Sequence, residues 1–220
     1  MKKIVMPVSL AVLAAGFFWA KGAMAVDLPG PASIDVTAIV PSNLTFSVTV
    51  CQIVAGTPVT FTSCGSSTPM NFGNLASQGT FDPDGTGPLP PQPRALSSTK
   101  AFQVFFGVNA QGRAFTVKQT AGHLVSGSNT VPDGAFIVTP LDGIGGDNTK
   151  PLPSGISKGT RGTAVFSNKA LFTSTGGLSD TMAATYGITD DPNLGATQPI
   201  PLDQPAGTYT TTVTFTATVT

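Results

Sequence analysis

The sequence predicts an all-β fold, an antiparallel sandwich built from short strands. In the last stretch, residues 207–220, Val213, Phe215, Ala217 and Val219 alternate with threonine. A period of two is typical of a half-buried strand, and the many β-branched residues favour a strand over a helix. All 11 acidic residues are aspartates, which favour turns over helices. No segment shows the alternation of helix and strand that a parallel α/β fold requires.

The N-terminal residues carry the three parts of a secretory signal. Two lysines follow the first methionine, residues 4–20 are mostly apolar, and Ala23-Met24-Ala25 fits a cleavage site with small residues at both ends. A membrane anchor is the alternative. However, Pro7 interrupts the apolar run, which is short against the roughly 20 residues that a membrane span needs. We therefore predict cleavage after Ala25 and export of the remaining chain.

The exported part of the chain is slightly acidic. Cleavage removes three lysines, so that 8 of the 11 basic residues remain against 11 acidic ones, a net charge near −3. Nucleic acid is therefore an unsuitable partner. Removing 25 of the 220 residues leaves 195, which is enough for one sandwich with a real core. We assign residues 1–25 to the signal, 26–41 to an N-terminal extension and 42–220 to a β-sandwich domain.

Runs with the same alternation follow one another along the exported chain. In the first run, Ile34, Val36, Ala38 and Val40 share one face. The strands predicted before the terminal one span residues 34–40, 44–50, 59–62, 70–75, 101–108, 113–119, 135–139, 163–173 and 183–188. Residues 178–185 are the one segment that could instead form a short helix.

The connections between these runs are of two kinds. Residues 108–113 predict a hairpin, because Asn109 and Gly112 tolerate the positive φ that a tight turn needs. Two longer stretches, 76–99 and 142–162, are rich in Gly, Pro, Asp and Ser. Loops of that length are usually functional or disordered.

Cys51 and Cys64 are the two cysteines, and in an exported chain they are expected to form a disulfide. Closing a loop across 13 residues stabilises the fold by about 3 kcal/mol in the chain-entropy model. A structural zinc site is the alternative, but two thiols and one histidine, His123, are too few ligands.

One motif could indicate an enzyme. Gly155-Ile-Ser157-Lys-Gly159 fits the G-x-S-x-G pattern of hydrolases, which needs a strand before the serine and a helix after it. Here prolines precede the motif and glycine-rich sequence follows it. His123 is the one histidine that could act as the base. We therefore predict that the protein is not an enzyme.

A second motif could bind calcium. Asp82 and Asp84 lie in a run, residues 81–87, that resembles the start of a calcium loop. The closing glutamate is missing, because the sequence contains none. Turn chemistry explains these aspartates equally well, so we predict no metal or cofactor and keep the pair as weak candidates.

Several features together resemble the subunits of chaperone-usher pili. They are the signal, the alternating N-terminal run, an early disulfide, and Ala206-Gly207-Thr208-Tyr209 before the terminal strand. Asn71-Phe72-Gly73 after Cys64, and a Gly-Thr-Tyr before a Thr/Val strand, are similar to the spore-coat-U-like branch of that family. The likeness covers both ends of the exported chain. Val219 departs from it, since pilins often carry tyrosine at the penultimate position.

The resemblance implies an immunoglobulin-like sandwich that lacks its last strand and is completed by the N-terminal extension of the next subunit. The protein would be a structural subunit of an extracellular filament or coat at the cell surface, and it would support adhesion. Its partners would be copies of itself or related subunits, with a periplasmic chaperone and an outer-membrane usher. The donor residues would be Ile34, Val36, Ala38 and Val40, and the acceptor edge would be Tyr209, Val213, Phe215, Ala217 and Val219.

A second interpretation stays open. Residues 34–40 could be the first strand of their own domain, since sequential strands tend to be neighbours. The protein would then be a self-complete secreted sandwich that binds a carbohydrate or a surface partner through its long loops. The two hypotheses differ in whether the strand beside residues 209–219 comes from the same chain or from another.

Overall fold

Thirteen strands build the part of the chain that the computed structural model describes, residues 36–38, 44–54, 60–76, 95–143, 152–176 and 180–220. They are β1 (Val36–Ala38), β2 (Thr45–Val54), β3 (Thr60–Gly65), β4 (Ala101–Asn109), β5 (Phe115–Ala121), β6 (Val125–Ser126), β7 (Asn129–Thr130), β8 (Phe136–Pro140), β9 (Ile156–Lys158), β10 (Gly162–Thr163), β11 (Phe166–Ser174), β12 (Asp180–Ile188) and β13 (Val213–Val219). Two short 3₁₀ turns, Asp133–Ala135 and Pro192–Leu194, complete the described elements. The predicted signal, residues 1–25, lies outside the described residues.

The strands form two large sheets that pack face to face. Sheet 1 has the order β1-β13-β5-β11-β9, and sheet 2 has the order β10-β8-β12-β4-β2-β3. Strands β6 and β7 form a separate small hairpin. Among the strands described, every pairing is antiparallel except that of β1 with β13. The predicted all-β antiparallel sandwich is therefore confirmed.

The core lies between the two sheets and is rich in aromatic rings. Phe106 of β4 lies against Phe215 of β13 and Phe172 of β11, with ring centroids 5.0 and 6.1 Å apart. Tyr186 of β12 also reaches Phe215, with the ring centroids 6.1 Å apart. Each side chain of this kind stabilises the fold by roughly 1.5–3 kcal/mol when it is fully buried. These contacts hold sheet 1 on sheet 2.

The hairpin predicted at residues 108–113 is wrong, although its turn is present. Strand β4 pairs with β2 and β12 in sheet 2, whereas β5 pairs with β13 and β11 in sheet 1. The turn therefore carries the chain from one sheet to the other, with φ of 49° at Gln111 and 84° at Gly112. Asn109 contributes its side chain instead, which accepts a hydrogen bond from the Gln111 amide at 3.1 Å. Alternation shows which face of a strand is buried, but not which strand lies beside it.

The strand predicted at residues 70–75 is also wrong. In this stretch Asn71 accepts a hydrogen bond from the Gly73 amide at 2.9 Å, and Gly73 has a φ of 69°. Positive φ does not fit an extended strand, so the chain turns here. The next residue that pairs is Ala76, which forms an isolated bridge with Ser97.

The short helix considered at residues 178–185 is wrong for the described residues 180–185, which belong to strand β12 (Asp180–Ile188). Met182, Ala183 and Ala184 have good helix propensity, but β12 is paired on both sides, by β4 and by β8. Tertiary pairing outweighs local propensity at such a central position.

The other predicted strands before the terminal one, apart from 34–40, are confirmed with shifted bounds. Residues 44–50 are the first part of β2, residues 59–62 overlap β3, and residues 163–173 divide into β10 and β11. The stretch 142–162, predicted as irregular, contains the short strand β9. Within the described residues, no helix has the length and hydropathy to span a membrane.

Candidate functional site at the outer edge of the terminal strand

The terminal strand β13 is anchored in the core by every second residue. Val213, Phe215 and Ala217 are buried, whereas Thr214, Thr216 and Thr218 lie half-exposed. The predicted alternation is thus present from Val213 onward, and half-buried Val219 also packs against the core. One edge of β13 pairs with β5 along the whole strand.

Tyr209 lies before the strand and has a different role. Its hydroxyl donates a hydrogen bond to the Pro205 carbonyl at 2.7 Å and accepts one from the Gln204 side chain at 2.8 Å. The next residue, Thr210, exchanges two backbone hydrogen bonds of 3.0 Å with Val125. Tyr209 therefore belongs to the loop that leads into β13.

The outer edge of β13, which faces away from β5, carries strand β1 of the same chain. The two strands run parallel, with Val36 opposite Phe215, Thr37 opposite Thr216 and Ala38 opposite Ala217. The register therefore matches Val36 and Ala38 with two buried residues of β13. Two of the predicted donor residues, Ile34 and Val40, lie outside the described residues.

The position of β1 can be compared with the immunoglobulin arrangement, in which one sheet carries strands A, B, E and D and the other carries C, F and G. In sheet 2, β2, β4, β12 and β8 lie side by side in the order A-B-E-D. In sheet 1, β5 and β13 take the places of C and F. The place of strand G, beside F, is the one that β1 occupies. A G strand that followed F through a tight turn would run antiparallel to it, whereas β1 runs parallel.

The predicted disulfide is confirmed. Cys51 of β2 and Cys64 of β3 are bonded, and their Cα atoms lie 4.2 Å apart. Cys51 is buried in sheet 2, while Cys64 lies on the exposed outermost strand. The bond therefore fastens β3 to the rest of the sheet.

Replacing both cysteines by alanine is expected to lower the free energy of unfolding by about 3 kcal/mol, because the bond closes a loop across 13 residues in the unfolded chain. The measurement is urea denaturation of the exported chain followed by circular dichroism. Reduction of the unsubstituted protein serves as the control and should give the same loss. A loss well below about 1 kcal/mol would contradict the prediction.

The residues considered for catalysis do not form a hydrolase elbow. Ser157 lies within β9 and not at a turn between a strand and a helix. The His123 ring, just after β5, is hydrogen-bonded to Asp133 at 2.7 Å. The calcium candidates Asp82 and Asp84 lie outside the described residues. In the part of the chain that is described, no cluster of three or more His, Cys, Asp or Glu side chains could hold a metal ion.

A buried polar network between the sheets was not predicted. The Tyr186 hydroxyl donates to Gln119 Oε1, and Gln119 Nε2 donates to the Ala164 carbonyl at 2.6 Å. Burial raises the pKa of Tyr186 well above its usual value, so that the hydroxyl stays protonated as a donor. Gln119 occupies an inward position of β5, and a glutamine on an otherwise apolar face is the signal that could have revealed it.

No protein-family model, curated protein or solved structure matches this chain.

Proposed function

We propose that the protein is a structural subunit of an extracellular filament or coat, in which the N-terminal extension of one copy fills the place beside β13 of the next. The observation that supports this most is the pairing at the outer edge of β13. There, at the place of strand G, β1 covers three residues and runs parallel to its neighbour. Adhesion through the assembled filament is part of the same proposal.

The outer edge of β13 is long enough for a donor strand of seven residues. Strand β13 has seven residues, and within the described residues β1 pairs with three of them. An extended edge strand is a template for pairing with another chain. A donated strand supplies the backbone hydrogen bonds, while its alternate side chains fill pockets in the core. A donor that spans all of β13 would pair with all seven of its residues.

The same segment can complete its own chain or a neighbouring one. Exchange of an identical element between copies has a low cost, because the contacts are the same in both arrangements. The donor segment precedes the sandwich and the acceptor strand is its last, so that each copy gives one strand and receives one. A head-to-tail contact of this kind repeats and builds an open filament. A periplasmic chaperone and an outer-membrane usher are the assembly factors that the proposal includes.

Deletion of residues 26–41 from the exported chain is expected to abolish multimers. The measurement is mass photometry together with unheated gel samples, in which strand-exchanged multimers run as a ladder. A peptide of residues 34–40 should restore the thermal stability of the shortened protein without restoring the ladder, because the peptide fills the edge but links no copies.

Two outcomes would contradict the proposal. Multimers that survive the deletion would show that residues 26–41 are not the donor. An undeleted exported chain that stays monomeric at high concentration would favour the self-complete binding module, since β1 then remains beside β13 of its own chain.

A further inference from the structure

A shallow cleft opens at the end of the sandwich where β5 ends and β13 begins. Its volume is about 650 Å³, and it is wide open to solvent, so that a ligand would lie on the surface with one face exposed. One wall is formed by His123 and residues 130–133, and the other by Gln198, Pro199 and Pro201. The cleft is separate from the outer edge of β13, and the inference drawn from it does not depend on strand exchange.

Backbone hydrogen bonds hold both walls in place. The Val131 amide donates to the Leu124 carbonyl at 3.0 Å, and the Thr197 amide donates to the Gly134 carbonyl at 3.0 Å. Gly134 permits a close approach of the walls, because a Cβ at that position would lie only 2.7 Å from the Gln198 backbone nitrogen. A cleft that is formed in advance needs little ordering when a ligand binds.

The polar groups of the cleft offer both donors and acceptors. Asp133 accepts a hydrogen bond from His123 Nδ1 at 2.7 Å, with 38% and 62% of the respective side chains exposed. This bond orients the imidazole and leaves its Nε2, and the second carboxylate oxygen, for a ligand. Thr130 and Gln198, whose side chains carry a hydroxyl and an amide, also line the cleft. Among the described residues, no lysine or arginine lines the cleft, so an anionic ligand would meet the carboxylate without a compensating cation from them.

The rest of the lining is apolar. Three prolines contribute flat aliphatic surface beside the polar groups, whereas Val131 is itself buried. Exposed large hydrophobic side chains are few among the described residues, and three of the four lie at this end: Val125, Phe166 and Leu202, with 41, 54 and 54% exposed. Val125 is hydrogen-bonded to Thr210 through the backbone, and Phe166 is the β-sheet partner of Ala121. Leu202 comes directly after Pro201 of the cleft in the sequence.

We propose that this cleft binds a neutral sugar ring, with Asp133, His123 and Gln198 on the hydroxyl groups and the prolines against the C–H face. A pyranose has polar edges and an apolar face, and it carries no charge. The cleft offers the matching combination of hydrogen-bonding groups and aliphatic surface. An extended glycan could reach from the cleft onto the exposed apolar side chains at the same end.

The test uses the exported chain and four defined probes, the methyl glycosides of glucose, galactose, mannose and N-acetylglucosamine. Saturation-transfer NMR detects binding, and backbone amide shifts locate it. We expect at least one glycoside to bind and to shift the amides of Thr130, Asp133 and Gln198. Asp133→Asn should weaken that binding about tenfold, because hydrogen bonds to a charged acceptor are the strong ones. Asp203→Asn is the matched control, since it removes an exposed carboxylate from a nearby loop outside the cleft.

Three results would overturn the inference. The first is that none of the four glycosides binds. The second is that binding occurs but the shifted amides lie away from the cleft. The third is that Asp133→Asn and Asp203→Asn bind the glycoside equally well. The outcome of the glycoside-binding test does not depend on whether deletion of residues 26–41 abolishes multimers. The cleft and the proposed filament are therefore tested separately.

Discussion

Replacing Val36 by aspartate is expected to reduce assembly of the exported chain at least tenfold, whereas Thr37→Asp should change it little. Val36 is in register with Phe215, which is fully buried, and Thr37 is in register with the half-exposed Thr216. A carboxylate on a residue in register with a buried one is expected to lose its hydration, and that costs several kcal/mol. Each 1.4 kcal/mol is a factor of ten in an equilibrium constant. The measurement is the multimer distribution by mass photometry at a fixed protein concentration.

The pair of variants also tests the register of the donated strand. Both substitutions add the same charge to neighbouring residues, so that a difference between them reports which face is buried. If Thr37→Asp were the damaging variant, the donor in the assembly would be shifted by one residue, since such a slip exchanges the two faces. Equal effects would mean that residues 36–37 do not enter a buried edge, which contradicts the proposed donor.

The alternating pattern was sufficient to predict the fold class and most strands, because burial of one face leaves a direct mark on the sequence. In β13 the buried residues are apolar, and the threonines between them are half-exposed. The sequence pattern does not show which strands pair with one another. Strands β4 and β5 are adjacent in sequence and alternate equally well, yet they lie in different sheets. The parallel partnership of β1 and β13 joins distant parts of the chain, and nothing in either segment specifies its direction.

The candidate sites also differ in whether they could be predicted from the sequence. The disulfide was predictable, because the chain has two cysteines and a predicted export signal. The cleft was not, because His123 looks like an ordinary loop residue until Asp133 and Gln198 are brought beside it. These residues come from separate loops, and only the fold places them together. The buried pair of Tyr186 and Gln119 likewise joins two strands from different sheets.

Phe215→Ala is expected to lower the free energy of unfolding by about 3–5 kcal/mol, the usual cost of removing a fully buried phenylalanine. The ring contacts Phe106 and Tyr186 of sheet 2, with centroids 5.0 and 6.1 Å away, so its loss opens a cavity where the two sheets meet. Thr216→Ala is the control in the same strand and should change stability by no more than about 0.5 kcal/mol. Urea denaturation followed by circular dichroism suits the exported chain, because the one tryptophan, Trp19, lies in the predicted signal.

Phe215→Ala also tests whether the inserted strand stabilises the domain through core packing or through backbone hydrogen bonds at the edge of β13. Phe215 is opposite Val36 in the register, so the cavity would lie next to the place of the inserted strand. A peptide of residues 34–40 is expected to stabilise the protein that lacks residues 26–41. If the peptide does so by filling the core, it should stabilise that shortened protein less when Phe215→Ala is also present. Thr216→Ala should leave the effect of the peptide intact. If the peptide stabilised the Phe215→Ala protein as much as the unsubstituted one, the segment would act through its backbone hydrogen bonds alone. If Phe215→Ala lowered the free energy of unfolding by less than about 1 kcal/mol, Phe215 would not be part of the core.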